Sequence, residues 1–258
     1  MKIKKNNDRN ETNVFTLREL AREPNEGKHI SVLILLLTMN AGWTDLVAYL
    51  FLSKVFASFM TGNILFIGLA FAQANFGLLE RAAIALLLNF VGVTIGALII
   101  HRAPLRRTTR RWRNRIMITL LIEWIFLLAF AFVWFMTSNL TQQNTAQIVL
   151  LGLAAFGMGI QGAVVIAFEF PGVVANAMTG VVLVLGQRVG KGIAGRGVAQ
   201  TGPVGEWRWT FLLPVLYALG AVAVGLTSAS LLTPIFPLII STIAIVYVLS
   251  KVGVDKIG

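Results

Sequence analysis

The chain has 258 residues, of which 57% are hydrophobic and 13% are charged, and its mean hydropathy is +0.78. A soluble domain carries about 25% charged residues, so the composition excludes an ordinary soluble domain and predicts a polytopic helical membrane protein. The apolar runs are continuous rather than alternating, which argues against a β-barrel. We attribute the net charge of +11 to basic cytoplasmic loops, and expect no nucleic-acid partner.

Residues 1–28 are polar and of mixed charge, and we expect a cytoplasmic tail there. Eight apolar segments follow in chain order: 30–52, 59–74, 81–100, 116–136, 146–169, 176–187, 209–229 and 234–250. As helices, the second and sixth segments would reach only about 24 Å and about 18 Å, whereas the hydrocarbon core is about 30 Å thick. These two segments are therefore either short spanning helices or half-helices that enter the membrane and return.

The distribution of lysine and arginine favours the second alternative. If all eight segments cross the membrane, 14 basic residues lie inside and 8 lie outside, with the arginine-rich loop on the outer side. If segments 59–74 and 176–187 are re-entrant, 20 basic residues lie inside and 2 outside. The positive-inside rule favours the second split. It predicts six spanning helices, two re-entrant segments and both termini in the cytoplasm, although a tilted short helix can also span.

An internal repeat is visible around two identical triplets. Met60-Thr61-Gly62 recurs 118 residues later as Met178-Thr179-Gly180, and the order of long and short segments recurs with it. We divide the membrane region into a first repeat, 29–136, and a second, 137–258. Three spanning helices in each would invert the second copy, as in many secondary transporters. The alternative is chance recurrence of small residues, which are common in membrane helices.

The two triplets suggest a central binding site. Glycine permits a break in a helix, and threonine can satisfy the backbone groups that the break releases. Two breaks facing each other at the midplane would create a shared polar space. An equally weighted alternative is that both are close-packing positions. The candidate residues for substrate or ion binding near these breaks are Thr61, Gly62, Asn63, Gln161, Asn176, Thr179 and Gly180.

Two carboxylates interrupt the apolar runs. Asp45 lies deep in the first segment, where an ionisable residue is costly unless it is paired, hydrated or protonated. We expect it to handle a ligand, a proton or a cation; the alternative is that it caps the backbone of a broken helix. Glu123 lies about 10 Å into the fourth segment. We expect it to reach back towards Arg113 or Arg115 rather than to act in a relay.

The stretch "AGWTDLVAYLFLSKVFASFMTGN" resembles the signature of the YoaK family of bacterial integral membrane proteins. The matching positions are Ala41, Gly42, Asp45, Phe56, Thr61, Gly62 and Asn63. Leu46 stands where that family has alanine, and Ala177 stands within a stretch that is usually rich in alcohols. The resemblance implies a multi-pass protein of the bacterial inner membrane, and it implies no substrate.

The sequence therefore predicts a small secondary transporter or permease for an unknown small molecule or ion. The alternative is a non-transporting membrane scaffold, or a protein that binds a lipid or a protein partner. In that case the loop from Arg102 to Arg115 would contact anionic lipid. There is no phosphate-binding loop and no zinc-type cluster, so we expect neither an enzyme nor a cofactor or metal.

Overall fold

A computed structural model describes residues 24–102, 110–137, 144–168, 178–194, 207–227 and 233–251. In these ranges the chain forms eight α-helices and no strands. The helices are α1 (Pro24–Val47), α2 (Met60–Ala72), α3 (Phe76–His101), α4 (Arg110–Thr137), α5 (Asn144–Ala167), α6 (Met178–Ile193), α7 (Trp207–Thr227) and α8 (Ile235–Lys251). Each of the eight predicted apolar segments overlaps one of them, which confirms the all-helical prediction.

Among the residues that the structure describes, four helical segments are long and apolar enough to cross a membrane. They are His29–Leu52, Phe76–His101, Arg111–Thr137 and Asn144–Ala167. The apolar parts of α2, α7 and α8 are shorter. Many large hydrophobic side chains point away from the bundle, as expected where lipid is the solvent. Length, composition and outward-facing apolar side chains identify a multi-pass helical membrane protein.

The chain between α1 and α2 is irregular for a local reason. Helix α1 continues into a π-helical segment, Ala48–Ser53, which ends at Lys54 in the left-handed conformation with φ of 61°. Residues 54–59 then form no regular element, and Met60 begins α2. π-Helical turns are rare and often mark functional positions. The first Met-Thr-Gly triplet therefore forms the opening turn of a helix rather than a break within one.

Helix α3 begins with a capped turn. Ala74 adopts a positive φ of 50°, which turns the chain sharply after α2. The side chain of Asn75 then accepts a hydrogen bond of 3.1 Å from the backbone N–H of Leu78. This is the usual way in which asparagine satisfies a free N–H at a helix start. The short helix α2 is thereby folded back onto α3, its main packing partner.

The larger helix contacts form a regular pattern. Helix α1 packs against α7 and α8, and α5 packs against α3 and α4. The short helices α2 and α6 pack against α3 and α7, respectively, and α4 contacts α8. If α1 to α4 are matched in order with α5 to α8, each of these contacts has its counterpart in the other half. Helix α5 is the most deeply enclosed of the four long segments.

Helices α1 and α7 cross at two glycines. A Cβ added to Gly42 would collide with the backbone carbonyl of Tyr217, three residues before Gly220. A Cβ added to Gly220 would collide with the carbonyl of Met39, three residues before Gly42. Both glycines are thus required for the close approach of the two backbones, as in other small-residue contacts between membrane helices.

Helices α3 and α5 cross in the same register. A Cβ at Gly159 would collide with the carbonyl of Asn89, three residues before Gly92. A Cβ at Gly92 would collide with the carbonyl of Phe156, three residues before Gly159. The two crossings are therefore built alike: each glycine faces the carbonyl three residues before the other.

Candidate functional site

Asp45 organises the entry to α2. One carboxylate oxygen, Oδ1, accepts hydrogen bonds from the backbone N–H groups of Ser58, at 2.5 Å, and Phe59, at 3.3 Å. The other oxygen, Oδ2, accepts from the Ser58 hydroxyl and from the Tyr217 hydroxyl, each at 2.6 Å. These residues form the Asp45 cluster. Four donors satisfy this buried carboxylate, so the geometry favours the capping alternative over a site with free ligand positions.

Asn63 holds the same irregular segment from its other side. Its Oδ1 accepts from the backbone N–H of Phe56 at 2.9 Å, and its Nδ2 donates to the Phe56 carbonyl at 2.7 Å. Asn89 of α3 donates to the carbonyl of Ala57 at 3.2 Å. A Cβ at Gly62 would lie 2.7 Å from the Phe59 ring. Asn63 therefore fixes the backbone of this segment by hydrogen bonds, and Gly62 leaves room for the Phe59 ring.

The structure does not bring the two Met-Thr-Gly turns together. Thr61 is exposed on α2, which packs against α3. Thr179 and Gly180 are exposed on α6, which packs against α7, and a Cβ added to Gly180 would meet open space. Asn176 lies outside the described residues. Each short helix therefore packs on its own long neighbour, an arrangement that gives the predicted shared polar space between these turns no support.

A different polar group lies inside the bundle, where α1, α4 and α5 meet. The Nδ2 of Asn40 donates to Gln161 Oε1 at 2.9 Å and to Glu123 Oε1 at 3.3 Å. The Nε2 of Gln161 donates to the backbone carbonyl of Leu37 at 2.8 Å. Asn40, Glu123 and Gln161 are each 0% exposed. We call these three residues the Glu123 cluster.

Two oxygen atoms of the Glu123 cluster have no hydrogen-bond partner. They are Oε2 of Glu123 and Oδ1 of Asn40. Buried polar atoms are nearly always paired in native proteins, and an ionisable group within a membrane marks a functional site by default. This cluster can therefore accept a hydrogen-bond donor or a positive charge, which the Asp45 cluster cannot do without losing an existing bond.

The prediction that Glu123 reaches back towards arginine is wrong. Glu123 is fully buried and is hydrogen-bonded to Asn40, and Arg115 donates to the Ile100 carbonyl at 3.1 Å. Sequence reasoning included Gln161 but missed Asn40 and the inward position of Glu123. The sequence did carry one sign of the inward position of Glu123. Apart from this residue, the run "MITLLIEWIFLLAF" has no charge, so the setting is as unusual as that of Asp45.

Within the described helices, no three histidine or acidic side chains are grouped closely enough to hold a metal ion. The fold and its clusters define a polytopic helical membrane protein with one satisfied and one unsatisfied buried carboxylate. Residues 33–249 match the model of a family described as protein of unknown function (DUF1275). The chain belongs to this family.

One relative is the UPF0700 transmembrane protein YoaK of Bacillus subtilis (strain 168). It is 28% identical over 150 residues, which cover 58% of this chain and 63% of the relative. The match therefore spans less than two thirds of that protein. The resemblance to the YoaK family is confirmed. No solved structure matches the chain.

Proposed function

We propose that this protein is a small secondary transporter or permease of the bacterial inner membrane rather than an enzyme. The observation that carries the proposal is the unpartnered carboxylate oxygen of Glu123, fully buried where three helices meet. Secondary transporters place substrate and ion sites between helices, at the interface of their two repeats. A protein that used its interior for packing alone would gain stability from an apolar residue at that position.

The pattern of helix contacts supports an inverted repeat. Matching α1–α4 with α5–α8 pairs the α1–α7 crossing with the α5–α3 crossing, with identical glycine registers. Across the proposed axis, α4 meets α8, where Trp124 Nε1 donates to Thr242 Oγ1 at 2.9 Å. These two residues are 118 apart, the same offset as the two Met-Thr-Gly triplets. In this arrangement the Glu123 cluster would lie close to the axis.

We further propose six spanning helices, with α2 and α6 re-entrant and both termini cytoplasmic. Helices α2 and α6 contain 13 and 16 residues, which extend about 20 Å and about 24 Å. Both are shorter than the hydrocarbon core of about 30 Å. Helices α7 and α8 contain 21 and 17 residues, within the range that can span when the bilayer adapts. The charge split of 20 to 2 supports the orientation.

Single cysteines test this topology, because the natural chain has no cysteine. We would place them at Lys54, Glu80 and Arg111, which are all exposed, and label intact cells with a membrane-impermeant maleimide. A re-entrant α2 requires labelling at both 54 and 80 from outside, and none at 111 until the cells are opened. Labelling of 54 and 80 from opposite sides would show that α2 spans.

Transport itself requires a screen, because no substrate class is fixed by the site alone. Purified protein would be screened by thermal shift in detergent against amino acids, carboxylates, amines and sugars, and hits would be tested as radiolabelled solutes in proteoliposomes. Uptake should be lost in Glu123→Gln and retained in Glu80→Gln, a matched change at an exposed position on α3. Uptake that is unaffected by Glu123→Gln would place the transport site elsewhere.

A second candidate function is binding of anionic lipid without transport. His101, Arg102 and Arg111, at the described ends of the loop from Arg102 to Arg115, are exposed. Clusters of basic residues beside a membrane helix attract anionic head groups. Under this alternative, phosphatidylglycerol would raise the thermal stability of the protein in detergent, and Arg111→Gln would reduce that effect. Solute uptake would then be absent in all variants.

A further inference from the structure

The carboxyl group of Glu123 has very little to balance a negative charge. Its Oε1 accepts one long hydrogen bond of 3.3 Å from Asn40, and Oε2 has no partner. Arg115 is the nearest cationic side chain towards the start of α4, about 12 Å away along the helix, and it bonds to a carbonyl of α3. An isolated charged carboxylate in hydrocarbon costs several kcal/mol, and such groups neutralise instead.

The surrounding helices offer no described hydrogen bond or ion pair to this carboxyl group from another ionisable side chain. Helix α5 carries no ionisable residue at all. Asp45 of α1 is occupied by its own four donors. His29 and Tyr247 bond to each other at 2.8 Å. The remaining ionisable side chains described on α3 and α4 lie towards the helix ends: Glu80, Arg81, His101, Arg111, Arg113 and Arg115.

We propose that Glu123 binds a proton in the folded protein, and that Asn40 is its hydrogen-bond partner in both protonation states. This inference rests on the proposed function, in which Glu123 would be the coupling-ion site. When a proton from water forms the Oε2–H bond, that hydroxyl can donate to Asn40 Oδ1 while Asn40 Nδ2 still donates to Oε1. One proton thereby satisfies both orphan oxygens, and its release to water restores the carboxylate.

A metal cation such as sodium fits the cluster less well. Such an ion is usually held by several oxygens, including carbonyls freed where a helix unwinds. Helices α1, α4 and α5 are continuous through Asn40, Glu123 and Gln161, so their carbonyls remain engaged in helical hydrogen bonds. The oxygen of Gln161 already accepts from Asn40. Two free oxygens are enough to bind one proton, whereas a metal cation would need more oxygen ligands than the cluster offers.

Infrared spectroscopy of the full-length protein in lipid bilayers tests this directly. A carboxylic-acid C=O band should be present near neutral pH, disappear as the pH is raised, and be absent in Glu123→Gln. Glu80→Gln, at an exposed position, should leave the band unchanged, and Glu123→Asp should shift it. A spectrum without this band, or a band that sodium ions remove at constant pH, would overturn the proposal.

Thermal stability gives an independent readout. The folded protein holds a proton that the unfolded chain releases at lower pH, so the wild-type Tm should fall as the pH is raised. Glu123→Gln mimics the protonated acid, because its amide can donate to Asn40 Oδ1. We therefore expect this variant to fold and to lose that fall in Tm. An equal fall in wild type and Glu123→Gln would contradict the proposal.

These results separate the inference from the proposed function. An acid band that belongs to Glu123, without uptake of any solute, would leave the proton site intact and remove the transporter. Solute uptake that persists in Glu123→Gln with unchanged pH dependence, together with a wild-type spectrum that lacks the acid band, would do the opposite. Loss of both uptake and the acid band in Glu123→Gln, with Glu80→Gln unaffected in both assays, is the result expected from a proton-coupled transporter.

Discussion

The two buried carboxyl clusters share one helix and differ in how completely they are satisfied. Helix α1 supplies Asp45 to one cluster and Asn40 to the other, five residues apart, or about 7.5 Å along the axis. Asp45 receives four hydrogen bonds, whereas Glu123 receives one and leaves an oxygen unpaired. A satisfied polar network makes a fold rigid, while an unsatisfied one has capacity to bind.

Depth in the membrane alone suggests that Asp45 is the better candidate for ion handling. The difference in hydrogen bonding favours Glu123 instead. Asp45 has the sequence context of an ion-handling residue, but its partners are the backbone and hydroxyl groups of its own irregular turn and of α7. Glu123 looked like a residue that reaches the surface, but it lies in the interior. Burial shows that a charged carboxyl group is unfavourable in free energy. Only the number of its hydrogen-bond donors shows whether that penalty is already offset.

The largest expected effect comes from Asp45→Ala. The change leaves buried donors of Ser58, Phe59 and Tyr217 unpaired at about 1–3 kcal/mol each, so we expect a loss of stability of at least about 3 kcal/mol. Heating in detergent followed by size-exclusion chromatography would measure it. Glu123→Gln is the control and should remain folded. An Asp45→Ala variant as stable as wild type, but inactive, would return Asp45 to a role in ion handling.

The glycine crossings allow the helices that carry the two clusters to be displaced. Gly42→Ala forces α1 away from the Tyr217 backbone, and Gly159→Ala forces α5 away from α3, two residues before Gln161. Each should cost about 1–3 kcal/mol through overpacking, measured as a fall in Tm. Gly180→Ala faces open space and serves as the control. Equal Tm values for Gly159→Ala and Gly180→Ala would show that the α3–α5 crossing can relax.

Much of the fold could be predicted from the sequence, and much of the site could not. The eight helices follow from long apolar runs, and the length and polarity of such a run can be read from the local sequence alone. The partners of the carboxylates are not local: Asn40 is 83 residues from Glu123, and Tyr217 is 172 residues from Asp45. Which face of α4 points inward is decided by packing against α5 and α8, and no motif within α4 records it.

A smaller effect is expected from Asn63→Ala. Asn63 makes two hydrogen bonds to the backbone of Phe56, and their loss should cost about 2 kcal/mol at about 1 kcal/mol each. Thr61→Ala, two residues earlier on an exposed face, should change the Tm little. If both variants have the wild-type Tm, the irregular segment is held by Asp45 and Asn89 without a contribution from Asn63.

The smallest expected effect is that of Tyr217→Phe, which removes one of the four donors to Asp45. No polar atom is left on the ring, and three donors remain, so the loss should be about 1 kcal/mol, typical of one hydrogen bond. Because Asp45 and Tyr217 are in contact, the effect of Tyr217→Phe should largely vanish in an Asp45→Ala background, which a double-mutant cycle on thermal stability would show. Tyr247→Phe, in the His29 pair, controls for the loss of a tyrosine hydroxyl elsewhere. If Tyr217→Phe abolished solute uptake without changing stability, the Asp45 cluster would belong to the transport site, and the contrast between a structural and a binding carboxylate would fail.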